Sequence, residues 1–482
     1  MKNLLLLTVV IVLSIESLNA FELKQRIYPE NTAVTLHFKA VSEWAVDWLQ
    51  KYAECLKNNQ KAGKLPFIGY TSEDHSFSSK DEYKKRSIPQ PLDFKINNKE
   101  ITVELKLKEA NFYQIVFAKP LIPNQKRQDN RVVKILALDA ETFKLRPFKG
   151  NLHQHSKFSD GKFTPEEHVA YARLAGFDFF GLSDHGIYRQ NAPVMKFAIE
   201  SQSGITVYPA EELHTPGALL HGLSIGGTKR HSVTGIRHPA WLKKVQPVYD
   251  ELAKKYPQTK HEQLLLLAES LLLARRAKAD GALTVFCHPA WRVSFHRHTT
   301  MEMAKFIMQQ KEFDVVEVIN GSMSGKSRRE NMETLSMFHE ICIQTGVRKP
   351  IMSSSDSHNV SNPNYSRNYN VIFAPDCTFP SFKAAFLNGR AVASYDIDYS
   401  GKKNNPQPLH FGSAEYVRYA NFLDEIGYWR RHDSAAGKQG SLIQQYHKGD
   451  KKVLPQIVKL ADKINQLREE IYYKNSAPIK KK

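Results

Sequence analysis

Histidine and carboxylate side chains recur along the chain at positions that suit metal binding. Most of them lie directly after short apolar runs that are typical of strands. In the pairs His153-x-His155 and Asp356-x-His358, both side chains project to the same side of an extended backbone. Imidazole and carboxylate ligands together suit Zn, Mn or Fe, and more than four of them in one place indicate more than one ion. The candidate metal ligands are His153, His155, Asp160, His185, Glu212, His221, His288, Asp356 and His358.

The elements that must position these ligands begin after Gly150, where short apolar runs alternate with helical patterns. This alternation predicts repeated strand-loop-helix units and therefore an α/β fold. In a parallel (β/α) barrel the C-terminal strand ends converge on one face, so ligands far apart in sequence meet at one site. One helix is predicted over 165–174, because Thr164 and Glu167 form a capping box and Gly176 ends the pattern. The predicted strands cover residues 179–182, 205–208, 283–286, 315–319 and 351–352.

Four motifs carry a resemblance to a known family. They are GNLHQHSKFSDG from Gly150, GFDFFGLSDH from Gly176, CHP from Cys287 and SDSH from Ser355. The chain resembles the polymerase-and-histidinol-phosphatase (PHP) metallohydrolase superfamily over about residues 146–395, and most of all its secreted or stand-alone phosphoesterases. The resemblance implies a distorted (β/α)7 barrel with a trinuclear metal site at the C-terminal ends of its strands.

The resemblance also implies how the ligands divide among three ions. Glu212 bridges two of them, because the family pattern places the ligand last in the run from Pro209 to Glu212. Position alone leaves Glu211 as its competitor, since Pro209 is predicted to end the strand before both acids. His221 stands in the run Leu220-His-Gly, and His214 is its competitor. The implied ions are held by His153, His155, Glu212 and Asp356, by Glu212, His221 and His288, and by Asp160, His185 and His358.

Such a site fits hydrolysis by a metal-bridging hydroxide, since coordination lowers the pKa of water from 15.7 to about 7. Asp184 is predicted to orient a ligating imidazole through its second nitrogen. Arg292 is a candidate partner for a phosphate oxygen, with a solvated surface position as the alternative. The leading hypothesis is an exported metal-dependent phosphoesterase acting on a phosphomonoester or phosphodiester. Two alternatives are a hydrolase of carboxylic or carbamate esters with the same metals, and a glycan-binding module with weak catalysis.

Composition limits the class of protein and its partners. The 482 residues include 68 Lys and Arg against 49 Asp and Glu, a formal charge of +19. With 41% apolar and 24% charged residues, wholesale disorder, collagen-like repeats and a coiled-coil rod are excluded. The basic excess favours anionic partners. Its short clusters are scattered and not interleaved with aromatic residues, so we expect an anionic small molecule or glycan-linked phosphate and no specific nucleic acid.

The ends of the chain are predicted to lie outside the barrel. Residues 1–20 have the basic start, apolar run and small terminal Ala20 of a secretory signal, which predicts a secreted or periplasmic protein. The leucine-rich stretch 264–274 is interrupted by Glu269, so no membrane span is expected. Four cysteines make no disulfide framework and no Cys-x-x-Cys pair. The predicted domains are a β-rich domain over 21–148, the barrel over 149–400, and a polar C-terminal extension with a terminal helix over 401–482.

Overall fold

The computed structural model describes residues 21–57, 67–72, 90–118, 130–216, 220–293, 296–297, 300–362, 364–397 and 407–474. The predicted signal segment, residues 1–20, lies outside these. The chain divides into two compact units. The first comprises residues 1–144 with 468–482, and the second comprises residues 145–467. All the candidate metal ligands belong to the second unit.

In its described residues the first unit has two sheets and an α-helix of 15 residues. Buried and exposed residues alternate along its long strands, as expected for a sheet with one face on a core. Trp48 of the helix is fully buried, and its indole N–H donates to the Ala118 carbonyl at 2.9 Å. The elements are β1 (Phe21–Glu22), β2 (Ile27–Pro29), β3 (Thr32–Ala40), β4 (Phe67–Ser72), β5 (Gln90–Pro91), β6 (Phe94–Asn97), β7 (Glu100–Leu107), β8 (Phe112–Ala118), β9 (Asn130–Leu138) and α1 (Glu43–Lys57). The sheets have strand orders β1-β3-β7-β6 and β2-β9-β8-β4-β5.

The second unit is built on a sheet of ten strands. Its strands are β10 (Arg146–Asn151), β11 (Phe179–Leu182), β12 (Thr206–Leu213), β13 (Gly222–Ile225), β14 (Leu283–Phe286), β17 (Val315–Asn320), β18 (Ile351–Ser354), β19 (Asn368–Ala374), β20 (Ala391–Ile397) and β21 (Gln407–Phe411). A separate small hairpin pairs β15 (Arg292–Val293) with β16 (His296–Arg297). The order in the large sheet is β18-β17-β14-β13-β12-β11-β10-β19-β20-β21.

This sheet curls until it is nearly closed. The amide of Ser353 in β18 donates to the side chain of Asn370 in β19 at 2.9 Å, and Asn370 donates back to the Ser353 carbonyl at 2.8 Å. Beyond the ends of β10 and β18, Gln154 and Ser357 form an isolated parallel β-bridge. The fold is therefore α/β with a barrel-like sheet. It is not uniformly parallel, because β13 and β19 to β21 pair with their neighbours in antiparallel fashion.

Helices connect and cover these strands. The capping box predicted for the first of them is confirmed, since the Glu167 amide donates to Thr164 Oγ1 at 3.3 Å and the Thr164 amide donates to the Glu167 carboxylate at 2.7 Å. Among the described residues, no helix is long and apolar enough to cross a membrane. The helices are α2 (Pro165–Leu174), α3 (Asn191–Glu200), α4 (Pro239–Lys255), α5 (His261–Ala279), α6 (Met301–Gln309), α7 (Gly325–Thr345), α8 (Asn364–Arg367), α9 (Phe379–Leu387), α10 (Ala414–Glu425), α11 (Tyr428–His447) and α12 (Leu454–Glu470).

The segment predicted as a polar extension is packed into the second unit up to residue 467. Helix α11 lies against α2 so closely that a Cβ on Gly440 would come within 2.7 Å of the Ala170 carbonyl oxygen. Two ionisable residues of this segment, His432 and Asp433, form partly buried pairs with residues from earlier in the second unit. His432 Nε2 lies 3.0 Å from Asp178, and the Lys149 ammonium lies 3.0 Å from Asp433.

Strand β12 is longer than the sequence suggested. The predicted end at Pro209 is wrong, because the strand continues to Leu213 and pairs there with β13. Pro209 has no N–H to donate, and it lies where the pairing of β12 with β11 ends at Leu182 and its pairing with β13 begins at Ala210. Both glutamates after it are therefore strand residues.

Candidate metal centre

The structure brings all the candidate ligands together at the C-terminal edge of the sheet. His153 and His155 follow β10, His185 follows β11, His288 follows β14, and Asp356 and His358 follow β18. The imidazole of His155 packs against two others, with centroid distances of 4.2 Å to His185 and 4.2 Å to His358, and those two rings are 5.7 Å apart. We call the candidate ligands, together with the side chains that contact them, the candidate metal centre.

Glu212 is fully buried at the middle of the candidate metal centre. Its two carboxylate oxygens face different histidines. Oε1 lies 2.7 Å from His221 Nδ1 and 3.4 Å from His288 Nε2. Oε2 lies 2.6 Å from His185 Nδ1, 3.5 Å from His153 Nε2 and 3.6 Å from His155 Nε2. This is the arrangement expected of a carboxylate shared by two cations.

Glu211 points the other way. Because side chains alternate along a strand, neighbouring residues of β12 face opposite sides of the sheet. The Glu211 carboxylate accepts the backbone N–H groups of His231 at 2.8 Å and Ser232 at 3.0 Å. These contacts place Glu211 among backbone amides and outside the cluster of imidazoles.

One group of candidate ligands contains His153, His155 and Asp356. Asp356 Oδ1 lies 3.0 Å from His155 Nε2 and 3.3 Å from His153 Nε2. Asp356 has φ +46° and His288 has φ +26°, a left-handed conformation that non-glycine residues rarely adopt. Backbone strain of this kind concentrates at functional sites, where the surrounding structure enforces it.

A second group contains Asp160 with His155, His185 and His358. Asp160 Oδ2 lies 3.2 Å from His358 Nε2 and 3.5 Å from His185 Nε2. The loop that carries Asp160 turns tightly, and a Cβ on Gly161 would lie 2.0 Å from the His155 carbonyl oxygen. Glycine is therefore required beside Asp160 to bring its carboxylate back over the histidines.

A third group joins Glu212 and His185 to both of the histidines that compete in the sequence, His214 and His221. His214 Nε2 lies 2.8 Å from His185 Nδ1, and the rings of His214 and His221 are 4.2 Å apart. The structure thus places both candidates within reach of Glu212.

Glu317 is a buried residue of the site that the candidate ligand list omitted. Its Oε1 lies 2.9 Å from His153 Nδ1, and its Oε2 accepts the backbone N–H of His288 at 2.7 Å. A carboxylate behind a ligating imidazole fixes the ring so that the opposite nitrogen faces the metal. Its position inside the apolar run 315–319 was the available signal, since an acid in a buried strand needs a partner.

Electrostatics at the site favour bound cations. Burial alone would raise the pKa of Glu212, but the imidazoles of His221 and His153 lower it well below its ordinary value. Burial likewise opposes ionisation of Asp356, yet His153 and His155 hold its pKa well below the usual range. Among the described residues, neither carboxylate has a lysine or arginine ion-pair partner. Imidazoles are the cationic groups that contact them in this part of the chain.

The donor atoms also fit a metal. Several buried side-chain atoms of the site have close neighbours but no hydrogen bond of good angle to any described residue, namely His153 Nε2, His155 Nδ1, His221 Nδ1 and Glu212 Oε2. Unsatisfied buried polar atoms are costly unless something binds them. In each group above, the ligand atoms lie within 4.8 Å of one another. Imidazole nitrogens and carboxylate oxygens at this spacing are suitable ligands for Zn, Mn or Fe.

Asp184 was predicted to contact a ligating imidazole, but its carboxylate has other partners among the described residues. Its carboxylate accepts the amide and hydroxyl of Ser156, both at 2.7 Å, and the hydroxyl of Ser159 at 2.6 Å. The reason is the tight turn after His155, which turns these serines toward Asp184. Asp184 therefore holds the loop that carries Asp160.

Arg292 is also placed differently from the expectation. Its guanidinium binds Glu333 of α7 through two contacts of 2.7 and 3.0 Å, and its amide donates to Glu330 at 2.9 Å. In this arrangement Arg292 is thus paired with a carboxylate through Nη2, whereas the sequence suggested a phosphate oxygen as its partner.

The chain is similar to known proteins over part of its length. No family model matches the chain. DNA polymerase/3'-5' exonuclease PolX of Bacillus subtilis (strain 168) is 34% identical over 80 residues, 17% of this chain and 14% of that protein. The chain therefore matches only a small part of that relative.

Solved structures are similar at low identity. A two-domain protein of Bacteroides vulgatus containing a predicted PHP-like metal-dependent phosphoesterase is 18% identical, with a TM-score of 0.36, over 52% of this chain and 65% of that one. A protein of Bifidobacterium adolescentis described as a metal-dependent phosphoesterase is 15% identical, with a TM-score of 0.31, over 45% and 89%. An amidohydrolase of Chromobacterium violaceum is 16% identical, with a TM-score of 0.27, over 44% and 87%.

Proposed function

We propose that this protein is an exported metal-dependent phosphoesterase that hydrolyses a phosphomonoester or phosphodiester with three divalent cations, of Zn, Mn or Fe. The observation that carries the proposal is the environment of Glu212. This buried carboxylate contacts six imidazoles, and no described lysine or arginine pairs with it. A carboxylate so placed suits a position between cations, because a buried charge needs positive partners and the imidazoles around it are themselves metal ligands.

The residues of the chain divide the work in this proposal. His153, His155, Glu212 and Asp356 hold one ion, with Glu212 reaching a second beside His221 and His288. Asp160, His185 and His358 hold the third. When bound, divalent cations lower the pKa of water and offset the charge of a phosphoryl group. Glu317 keeps the His153 ring oriented, and Asp184 keeps the Asp160 loop in place.

Space for a substrate lies directly beside these ligands. A cavity of about 320 Å³ is lined by Asp356 and His358 and by neutral polar side chains, including Ser327 and Asn359. A cavity of this size accepts a small substrate group. Its amides and hydroxyls provide hydrogen bonds without adding a charge.

The test is hydrolysis of three chromogenic esters, 4-nitrophenyl phosphate, bis(4-nitrophenyl) phosphate and 4-nitrophenyl acetate, before and after chelation. We expect at least one phosphate ester to be cleaved, the activity to disappear with chelator, and Mn or Zn to restore it. His358→Asn should abolish activity. The matched control His339→Asn, at an exposed residue of α7, should not. Phosphate hydrolysis that survives chelation would contradict the proposal, and cleavage of the acetate alone would indicate the carboxylic ester hydrolase.

A further inference from the structure

A second cavity, of about 590 Å³, lies beside the candidate metal centre. It is lined by Gly186, Ile187, Tyr188, Arg189, Arg230 and Thr234. We call it the arginine cavity. It begins at the residue after His185, and the Gly186 amide donates to the Glu212 carbonyl at 2.9 Å. The arginine cavity is thus attached to two of the candidate metal-binding residues by the backbone itself.

Each of the two arginines in the cavity is held by a contact that does not neutralise its charge. The Arg189 guanidinium lies 5.2 Å from the centre of the Phe158 ring, a cation–π contact that positions the group and leaves its N–H donors open. Arg230 donates to the neutral hydroxyl of Thr234 at 2.9 Å. Neither guanidinium forms an ion pair with a carboxylate in the described part of the chain, in contrast to Arg292.

The nearby acids are already bound by other donors. Asp280 accepts the amide and hydroxyl of Thr228, at 2.6 and 2.7 Å, and lies 3.1 Å from His231 Nε2. Glu211 accepts two backbone amides. The positive charge of the arginine cavity is therefore available to a ligand.

We propose that the arginine cavity binds a second oxyanion of the substrate, a phosphate, sulfate or carboxylate on the part of the molecule that is not cleaved. The inference rests on the proposed function, because it takes the reacting phosphate to lie at the candidate metal centre. Guanidinium groups recognise planar or tetrahedral oxyanions through two parallel hydrogen bonds, so two of them in one cavity favour such a group. The substrate class is then a phosphate ester with a second anionic group.

The test uses ω-phosphonoalkanoates of increasing chain length and matched ω-phosphonoalkanamides, in which a neutral amide replaces the carboxylate. Their Kd values are measured by calorimetry with the full chain loaded with Mn. At the chain length that spans the two sites, the carboxylate should bind at least about tenfold more tightly than the amide, since hydrogen bonds to charged groups are the stronger kind. In the double variant Arg189→Gln/Arg230→Gln this preference should fall to about one.

Lys229→Gln is the matched control, because it removes the same charge from an exposed neighbour that does not line the cavity. It should keep the preference. Equal binding of carboxylate and amide at every chain length, a preference that survives the double variant, or no binding of any phosphonate would overturn the inference. Hydrolysis of the corresponding phosphate esters is measured alongside. Discrimination without hydrolysis would contradict the phosphoesterase proposal alone, and hydrolysis without discrimination would contradict the arginine cavity alone.

Discussion

Two adjacent glutamates have different partners because strand β12 continues through both. Glu212 faces the imidazoles, whereas Glu211 accepts two backbone amides on the other face. Replacing Glu212 by Gln should abolish activity and lower the metal content, because it uncovers cations that repel each other at close range. Replacing Glu211 by Gln should leave the metal content near that of the wild type and lower the free energy of unfolding by about 1–3 kcal/mol. Metal analysis and urea unfolding of both variants check this ranking, and the reverse order would move the bridge to Glu211.

Glu317 should control metal affinity without binding the metal. Its carboxylate orients His153 and accepts the His288 amide, so Glu317→Gln weakens the support of two candidate ligands. Loss of such a supporting carboxylate costs about 10–100-fold in metal affinity. Competition with a chromogenic chelator measures this loss. Unchanged affinity in a folded Glu317→Gln protein would show that His153 is held by other contacts.

The sequence could identify ligand types but not the partners of every side chain. The candidate ligands were found because short motifs follow predicted strands, as at His153 and Asp356. Asp184 and Arg292 were given roles that the structure does not show, because their partners, such as Ser156 and Glu333, come from loop geometry and from a helix distant in sequence. Such contacts have no local signal.

At the scale of elements, the C-terminal helices are fixed to the sheet by buried polar contacts. His410 of β21 lies 2.8 Å from the Ser394 hydroxyl of β20 and 2.7 Å from Asp424 of α10. Ser394, His410 and Asp424 are connected in the same order as the Ser, His and Asp of a hydrolase triad. Ser394 is completely buried, so this arrangement fastens α10 to the sheet edge and is not a second active site.

Helix α11 should depend on the charge of His432. Burial alone would lower the pKa of this histidine, but Asp178 and Asp433 raise it above the ordinary value. The resulting stabilisation is fully present below the unfolded pKa of about 6.5 and is lost as the pH rises through the raised folded pKa. We expect His432→Asn to lower the free energy of unfolding by about 3 kcal/mol near pH 6.

The same substitution should cost less at alkaline pH. Urea unfolding of the wild type and His432→Asn across the pH range measures the difference, with the exposed His339→Asn as control. A difference that grows with pH would contradict the assigned charge state.

The predicted elements were most accurate where a single pattern dominates. The helix Pro165–Leu174 and the strand Phe179–Leu182 match their predicted bounds, because a capping box and a continuous apolar run mark them locally. The antiparallel strand Gly222–Ile225 was not predicted, because it has only four residues, all buried, and because its pairing depends on β12 and β14. The order of strands in a sheet depends on pairing between residues that are distant in the sequence.

At the scale of the whole molecule, every candidate ligand lies in the second unit. A chain spanning residues 145–482 should therefore bind the same number of ions per molecule as the full protein, even if its solubility or substrate affinity falls. Elemental analysis of the purified shorter chain measures this. A soluble, folded chain without metal would show that the first unit is needed to form the site.

Export is a separate prediction at the same scale. If residues 1–20 are a signal, the protein expressed from its full sequence in a secretion-competent bacterium should begin near Phe21. Intact mass spectrometry of the product gives its first residue. A product that keeps residues 1–20 would contradict export by cleavage.

The central claim, a centre that holds several cations, is tested most directly by the metal content of the intact protein. The candidate ligands outnumber what one tetrahedral or octahedral ion can take. Protein purified without chelator and analysed by inductively coupled plasma mass spectrometry should contain more than two equivalents of Zn, Mn or Fe per chain, and Glu212→Gln should contain fewer. One equivalent or none in the wild-type protein would contradict the account.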